Sequence, residues 1–231
     1  MKNNKIFVAC DTSNLGFLKK IINQTKTKKL EITPKFGLQF FYSKKGRKFL
    51  EKVNKSFFLD LKINDIKQTA LSAIDSLKDL KKCRYITIHA NGGLEMLKAV
   101  KKKAAKTNKN LKVLGVTILT SLNNKSLKEI GHTKNLEWIV LKQTDLIKKA
   151  GLHGVVLSAK EAKIVKKKYS NLFIVTPGIR LPGDKKDDQA RVVTPHEALN
   201  KNKVNALVMG RSLIQGNIKN NIKKLVDHLS Q

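Results

Sequence analysis

Short apolar runs alternate along the chain with Lys-rich stretches of helical periodicity. Eight runs have strand length: Ile6–Cys10, Glu31–Phe36, Ser56–Leu61, Tyr85–Ala90, Lys112–Leu119, Gly154–Ser158, Phe173–Thr176 and Ala206–Met209. They are continuous and rich in Val, Ile, Leu and Phe, as strands covered on both faces are. Between them, apolar residues recur at three- and four-residue spacing. Ile66, Ala70, Ala73, Ile74, Leu77 and Leu80 form one such stripe, with Asp65 placed to cap it. Leu94, Leu97, Ala104 and Ala105 follow Gly93, and Ile218, Ile222, Leu225, Val226 and Leu229 form a last amphipathic helix. Thr194-Pro195 supplies a cap residue followed by Pro at the first helical position. Eight strands alternating with helices predict an α/β fold, a (β/α)8 TIM barrel, as a single domain over residues 1–231. The rival, an open doubly wound sheet, wants a Gly-rich turn after its first strand, and none is present.

Length agrees with that reading, because 231 residues suit one barrel and no Pro-, Gly- or Ser-rich linker divides them. No apolar run approaches the roughly 18 residues of a spanning helix, so an integral membrane protein is not expected. The first residues lead straight into a strand-like run, and no signal peptide is expected. Two cysteines, Cys10 and Cys83, cannot staple a chain of this size, which points to a reducing cytoplasm.

The formal net charge of +31 first suggests a nucleic-acid partner. Composition argues otherwise. Only Arg47, Arg84, Arg180, Arg191 and Arg211 are arginines, whereas readers of nucleic acid favour the guanidinium fork. Aromatics are 6% of residues, too few to interleave with a basic stripe. Lysines recur in every predicted helix, as in Lys101-Lys102-Lys103 and Lys166-Lys167-Lys168, which is the pattern of a solvated outer face. Lys, Asn and Ile share A/T-rich codons, so genomic base composition is a sufficient source of the excess.

A barrel enzyme builds its site from the C-terminal ends of its strands. Polar or charged residues stand at all eight ends here. They are Asp11; Lys35; Asp60 and Lys62, then Asp65; His89; Thr120-Ser121; Ser158; Thr176 to Arg180; and Gly210-Arg211. Buried charges are costly unless paired. Lys35, Asp60, Lys62 and Asp65 would relieve that cost as a network of alternating sign in the barrel mouth. The 17 residues from Pro177 to Val193 show no helical or strand periodicity, so a lid over Pro182 to Gln189 is expected, with a plain surface excursion as the alternative. Asp65, Thr120 and Ser121 also suit helix caps, and His89 suits a hydrogen-bonded structural role. No His/Cys/Asp cluster has metal-ligand spacing, and no Ser-His-Asp arrangement is suggested.

Asp60-Leu61-Lys62-Ile63-Asn64-Asp65-Ile66, behind Phe57-Phe58-Leu59, resembles the catalytic segment of the orotidine 5′-phosphate decarboxylase family. So, in family order and over nearly the whole chain, do Asp11, Lys35-Phe36-Gly37, His89 to Gly93, Leu119-Thr120-Ser121, Val175 to Arg180, Asp188-Gln189 with Arg191, Thr194-Pro195 and Met209-Gly210-Arg211. Departures are Asn64 where His is common, and Lys67-Gln68 where Pro-Asn is usual. They bear on the turn beside Asp65.

The resemblance implies removal of CO2 from C6 of orotidine 5′-monophosphate to give uridine 5′-monophosphate, a step of de novo pyrimidine biosynthesis that uses no metal or cofactor. It implies that Lys62 stabilises and protonates the C6 carbanion, with Asp60 beside the departing carboxylate. Lys35 would hold Asp60 and a ribose hydroxyl, and Asp11 would bind ribose. Thr120 and Ser121 would meet the pyrimidine amide. Pro177, Arg180, Gln189, Gly210 and Arg211 would lie on the phosphate side, where the lid closes. Asp65 and Thr69 would reach the site of a neighbouring subunit, making the active unit a homodimer. Mg2+-dependent sugar-phosphate decarboxylases and aldolases of the same superfamily keep a similar D-x-K-x-x-D. The segment Thr176 to Arg180 with Gln189 favours the nucleotide enzyme.

Overall fold

A computed structural model describes residues 4–184 and 192–230. Its strands are β1 (Lys5–Ala9), β2 (Glu31–Gly37), β3 (Phe57–Ile63), β4 (Cys83–His89), β5 (Lys112–Val116), β6 (Gly154–Val156), β7 (Ile174–Thr176) and β8 (Ala206–Met209). Among the described residues these eight strands pair in parallel in chain order, and β8 returns to β1 through Lys5↔Ala206 to Val8↔Met209, closing the barrel. The helices are α1 (Leu15–Gln24), α2 (Leu38–Phe41), α3 (Gly46–Lys52), α4 (Lys67–Asp75), α5 (Gly93–Thr107), α6 (Asn124–Glu129), α7 (Leu136–Lys149), α8 (Ala159–Lys168), α9 (Arg211–Ile214) and α10 (Ile218–Ser230). None is long and apolar enough to cross a membrane.

Alternation along the strands separates two cores. Phe7, Phe58, Tyr85, Leu114, Val116, Val156, Val175 and Ala206 fill the barrel. Their neighbours Ile6, Val8, Leu59, Ile86, Val113, Val155, Ile174 and Leu207 pack outward under the helices. Phe7 meets Phe58 and Tyr85 edge to face at 4.9 and 5.1 Å, a plug two residues below Ala9, Asp60 and Thr87. Gly115 lets α7 lie close on β5, since a Cβ there would stand 2.4 Å from Ile147 Cγ1.

Several boundaries differ from the sequence expectation. β5 stops at Val116, although Thr117 still donates its N–H to Val156 O at 3.3 Å and Ile118 stays buried. Apolar character outruns pairing there. Asp65 does not cap α4. Ile66 holds the cap position in extended backbone, and Asp65 Oδ1 accepts the Ile66 N–H at 2.7 Å. Thr120 and Ser121 are not caps either, for Asn123 caps α6 by accepting from Ser126 N. Thr194 does cap, accepting from Glu197 N at 3.2 Å. Arg211 opens a short helix of its own, α9, ahead of the last one. The chain breaks after α9, where Gln215 is extended and Gly216 takes φ +66°.

Candidate active site

β3 carries more residues than β4 at the barrel mouth. Leu59 pairs with Ile86, but the next pair is Ile63 with Ile88. Four residues of β3 thus face two of β4, and the strand bulges over Asp60–Ile63. Within the bulge Lys62 takes φ +48°. Its N–H donates to Thr87 Oγ1 at 2.8 Å, and Thr87 donates its hydroxyl to Asp60 Oδ1 at 2.9 Å. The other carboxylate oxygen, Asp60 Oδ2, meets Lys62 Nζ at 3.0 Å and Lys35 Nζ at 3.2 Å. Lys35 Nζ also lies 3.7 Å from Asp11 Oδ1.

The charged chain therefore runs Asp11, Lys35, Asp60, Lys62. Within one chain it joins Lys35, Asp60 and Lys62 to Asp11 and does not include Asp65. Asp65 is exposed, and its Oδ1 accepts a local N–H, that of Ile66. Thr69 is likewise exposed. Within one chain neither lines the cavity at the mouth.

Burial sets the electrostatics. By itself it would raise the pKa of Asp60, but attraction to Lys35 and Lys62, with hydrogen bonds from Lys62 and Thr87, outweighs it and holds the carboxyl below its ordinary range. Burial by itself would lower the pKa of Lys35, and attraction to Asp60 and Asp11 outweighs it, raising the pKa. His89, at the end of β4, is pushed down first by burial and then by Lys62, against the pull of Asp60. Among the described residues its buried Nδ1 finds no hydrogen-bond partner.

The four charged groups Asp11, Lys35, Asp60 and Lys62 line a cavity of about 520 Å3. Its floor is apolar, from Phe58, Val156 and Val208, and Asp11, Lys35, Asp60 and Lys62 form one side. Thr120, Pro177, Gly178, Arg180, Gly210 and Arg211, with Ala9 and Ile214, form the rest. Ser121 is exposed and outside the lining. Gln189 and most of Pro182 to Gln189 lie outside the described residues. The base of that segment is held by a parallel bridge of Ile179 to Val193, with Arg180 N–H donating to Val193 O at 3.1 Å. That bridge was not visible in the apolar pattern, because a single paired residue on each side leaves no period.

Thr87 is the site residue that sequence reasoning missed. It sits inside an apolar run rather than after it. Alternation in β4, which turns Tyr85 into the barrel, turns Thr87 inward too and is the signal that could have found it.

Residues 4–224 match the model of the "Orotidine 5′-phosphate decarboxylase / HUMPS family". The chain is 36% identical over 226 residues to the orotidine 5′-phosphate decarboxylase of Wolbachia sp. subsp. Brugia malayi, covering 96% of this chain and 97% of the relative. It is also 36% identical over 225 residues to that of Buchnera aphidicola subsp. Acyrthosiphon pisum, covering 96% and 92%. Among solved structures, orotidine 5′-phosphate decarboxylase from Lactobacillus acidophilus superposes with a TM-score of 0.83 at 27% identity, over 99% of this chain and 100% of that one.

Proposed function

The chain belongs to the orotidine 5′-phosphate decarboxylase / HUMPS family, and we propose that it converts orotidine 5′-monophosphate to uridine 5′-monophosphate and CO2, with Lys62 as the proton donor. The observation that carries this reading is the charged chain at the cavity wall, where one carboxylate oxygen holds two ammoniums at 3.0 and 3.2 Å.

The reaction breaks the C6–carboxylate bond and leaves the electron pair on C6. No neighbouring carbonyl is arranged to delocalise it, so fixed positive charge must stabilise it. Lys62 supplies that charge and then its proton, forming the C6–H bond of the product. The resulting amine recovers a proton from water. Lys35 keeps Asp60 ionised, and Asp60 orients Lys62 beside the departing carboxylate. Lys35 and Asp11 bind ribose hydroxyls, and Thr120, which lines the cavity where Ser121 does not, meets the pyrimidine amide.

Gly210, Arg211, Arg180, Pro177 and Gln189 serve the phosphate. Residues 177–193 form the lid on that side, a reading supported by the bridge at its base. Phosphate binding energy then holds the catalytic state. Asp65 and Thr69 complete the site of a second copy in a homodimer. Support comes from Ile66 between them, a large apolar side chain left 73% exposed. Two buried free thiols, Cys10 and Cys83, suit a cytoplasmic protein.

A spectrophotometric assay with orotidine 5′-monophosphate tests the reading. Wild type turns over without added metal and in the presence of a chelator, and Lys62→Ala loses nearly all activity while remaining folded. A folded, inactive wild type refutes the assignment, and loss of activity on chelation points to the Mg2+-dependent sugar-phosphate branch.

A further inference from the structure

The hydroxyl of Thr87 touches both the backbone of Lys62 and the carboxylate of Asp60. Its geometry leaves no choice of direction. An amide N–H can only donate and an ionised carboxylate can only accept, so the hydroxyl accepts from Lys62 at 2.8 Å and donates to Asp60 Oδ1 at 2.9 Å. Thr87 is fully buried, so water does not compete for either bond. Lys62 meanwhile adopts φ +48°, which side-chain-bearing residues seldom take and which persists only where the surroundings enforce it. By occupying Oδ1, the hydroxyl fixes the carboxylate plane and leaves Oδ2 to both ammoniums.

We infer that Thr87 is a positioning residue that locks Lys62 and Asp60 into one rigid unit across the β3–β4 bulge. A strand alone would set only their common face. The hydroxyl sets the distance and the carboxylate orientation, at the tolerance of a few tenths of an ångström that proton transfer requires. The catalytic part of this inference rests on the decarboxylase reading above. The structural part does not.

Thr87→Val is the sharp test, because Val keeps the shape and β-branching while deleting both bonds. Full-length wild type, Thr87→Val, Thr87→Ser and Lys62→Ala are compared. Thr87→Val is expected to lower kcat about 10- to 100-fold, the effect of losing a buried hydrogen bond to a charged group. KM should change far less, since Thr87 is not part of the cavity lining. Thr87→Ser, which keeps the hydroxyl, should restore kcat to within about threefold.

A pH readout separates positioning from general damage. Asp60 is faced by Lys35 from β2, Lys62 on its own strand, Thr87 and His89 from β4, and Asp11 beyond Lys35. Deleting the Thr87 donor removes one stabiliser of the carboxylate, so its titration moves to higher pH in Thr87→Val and not in Thr87→Ser. Carboxyl-selective NMR of Asp60 reads this without turnover. If Thr87→Val does not fold, Thr87→Ala is put through the same measurements. A folded variant with wild-type kcat and an unshifted Asp60 titration overturns the inference, as does a Ser variant that fails to rescue. Inactive wild type with a shifted Asp60 titration in Thr87→Val refutes the decarboxylase reading and leaves the coupling standing.

Discussion

Lys35 Nζ stands 3.2 Å from Asp60 Oδ2, with only 7% and 12% of the two side chains exposed. Each group stays ionised at this depth because of the other. Two opposite linkages follow. Asp60 has a depressed folded pKa, so its pairing contributes stability above the unfolded carboxylate value of about 3.9 and loses it as pH falls through the folded value. Lys35 has a raised folded pKa, so its contribution is complete below the unfolded value of about 10.4 and is lost as pH rises through the folded one. Denaturant titrations of wild type and Asp60→Asn should therefore diverge, with wild type losing stability more steeply below about pH 4. Identical acid slopes would contradict the pairing.

Arg211 lines the same cavity as Lys62. If phosphate binding energy holds the closed catalytic state, Arg211→Ala should raise KM and lower kcat together. Steady-state kinetics decide this. A change in KM alone would mean that the phosphate contacts are equally strong in ground and transition states, against the lid argument.

Cys10 and Cys83 are buried in the outer core, and burial pushes both thiols up to about 12, Cys10 even against the attraction of Lys35. Neither should react with a chromogenic disulfide reagent at pH 8 in the native protein. Both should react in denaturant. Rapid labelling of the native protein would show that these sites open far more readily than a packed barrel core allows.

A shared site makes a distinctive prediction for mixed protomers. Lys62→Ala and Asp65→Ala are each expected to be nearly inactive alone. In a hybrid dimer, one site joins the intact Lys62 of one protomer to the intact Asp65 of the other. Random exchange then restores about one quarter of wild-type sites. No recovery on mixing, with exchange verified by mass spectrometry, would show that Asp65 serves its own chain.

The charge of +31 also reads differently beside the site. Lys35, Lys62, Arg180 and Arg211 line the cavity. Elsewhere cations decorate outer helices, as in Lys166, Lys167 and Lys168 in the last turn of α8. Such an excess raises the local concentration of an anionic substrate but does not specify chemistry.

The chain alone determined the barrel and most of its mouth. Eight runs with covered-strand composition, separated by amphipathic helices, have few other solutions, and parallel strands put the residue after each run at one end. The third run likewise places Asp60 and Lys62 at its C-terminal end, because that depends only on where the apolar run stops and which way the strand points. The tertiary structure decided which charges meet. Thr87 and Asp60 are 27 residues apart, and their contact depends on the β3–β4 register, which a bulge shifts just where the chemistry sits. Asp11 meets Lys35 in the folded chain, while Asp65 bonds the N–H of its own neighbour Ile66. Register is a property of two strands together, with hydrogen bonds between distant residues choosing among alignments that each strand's own pattern allows equally.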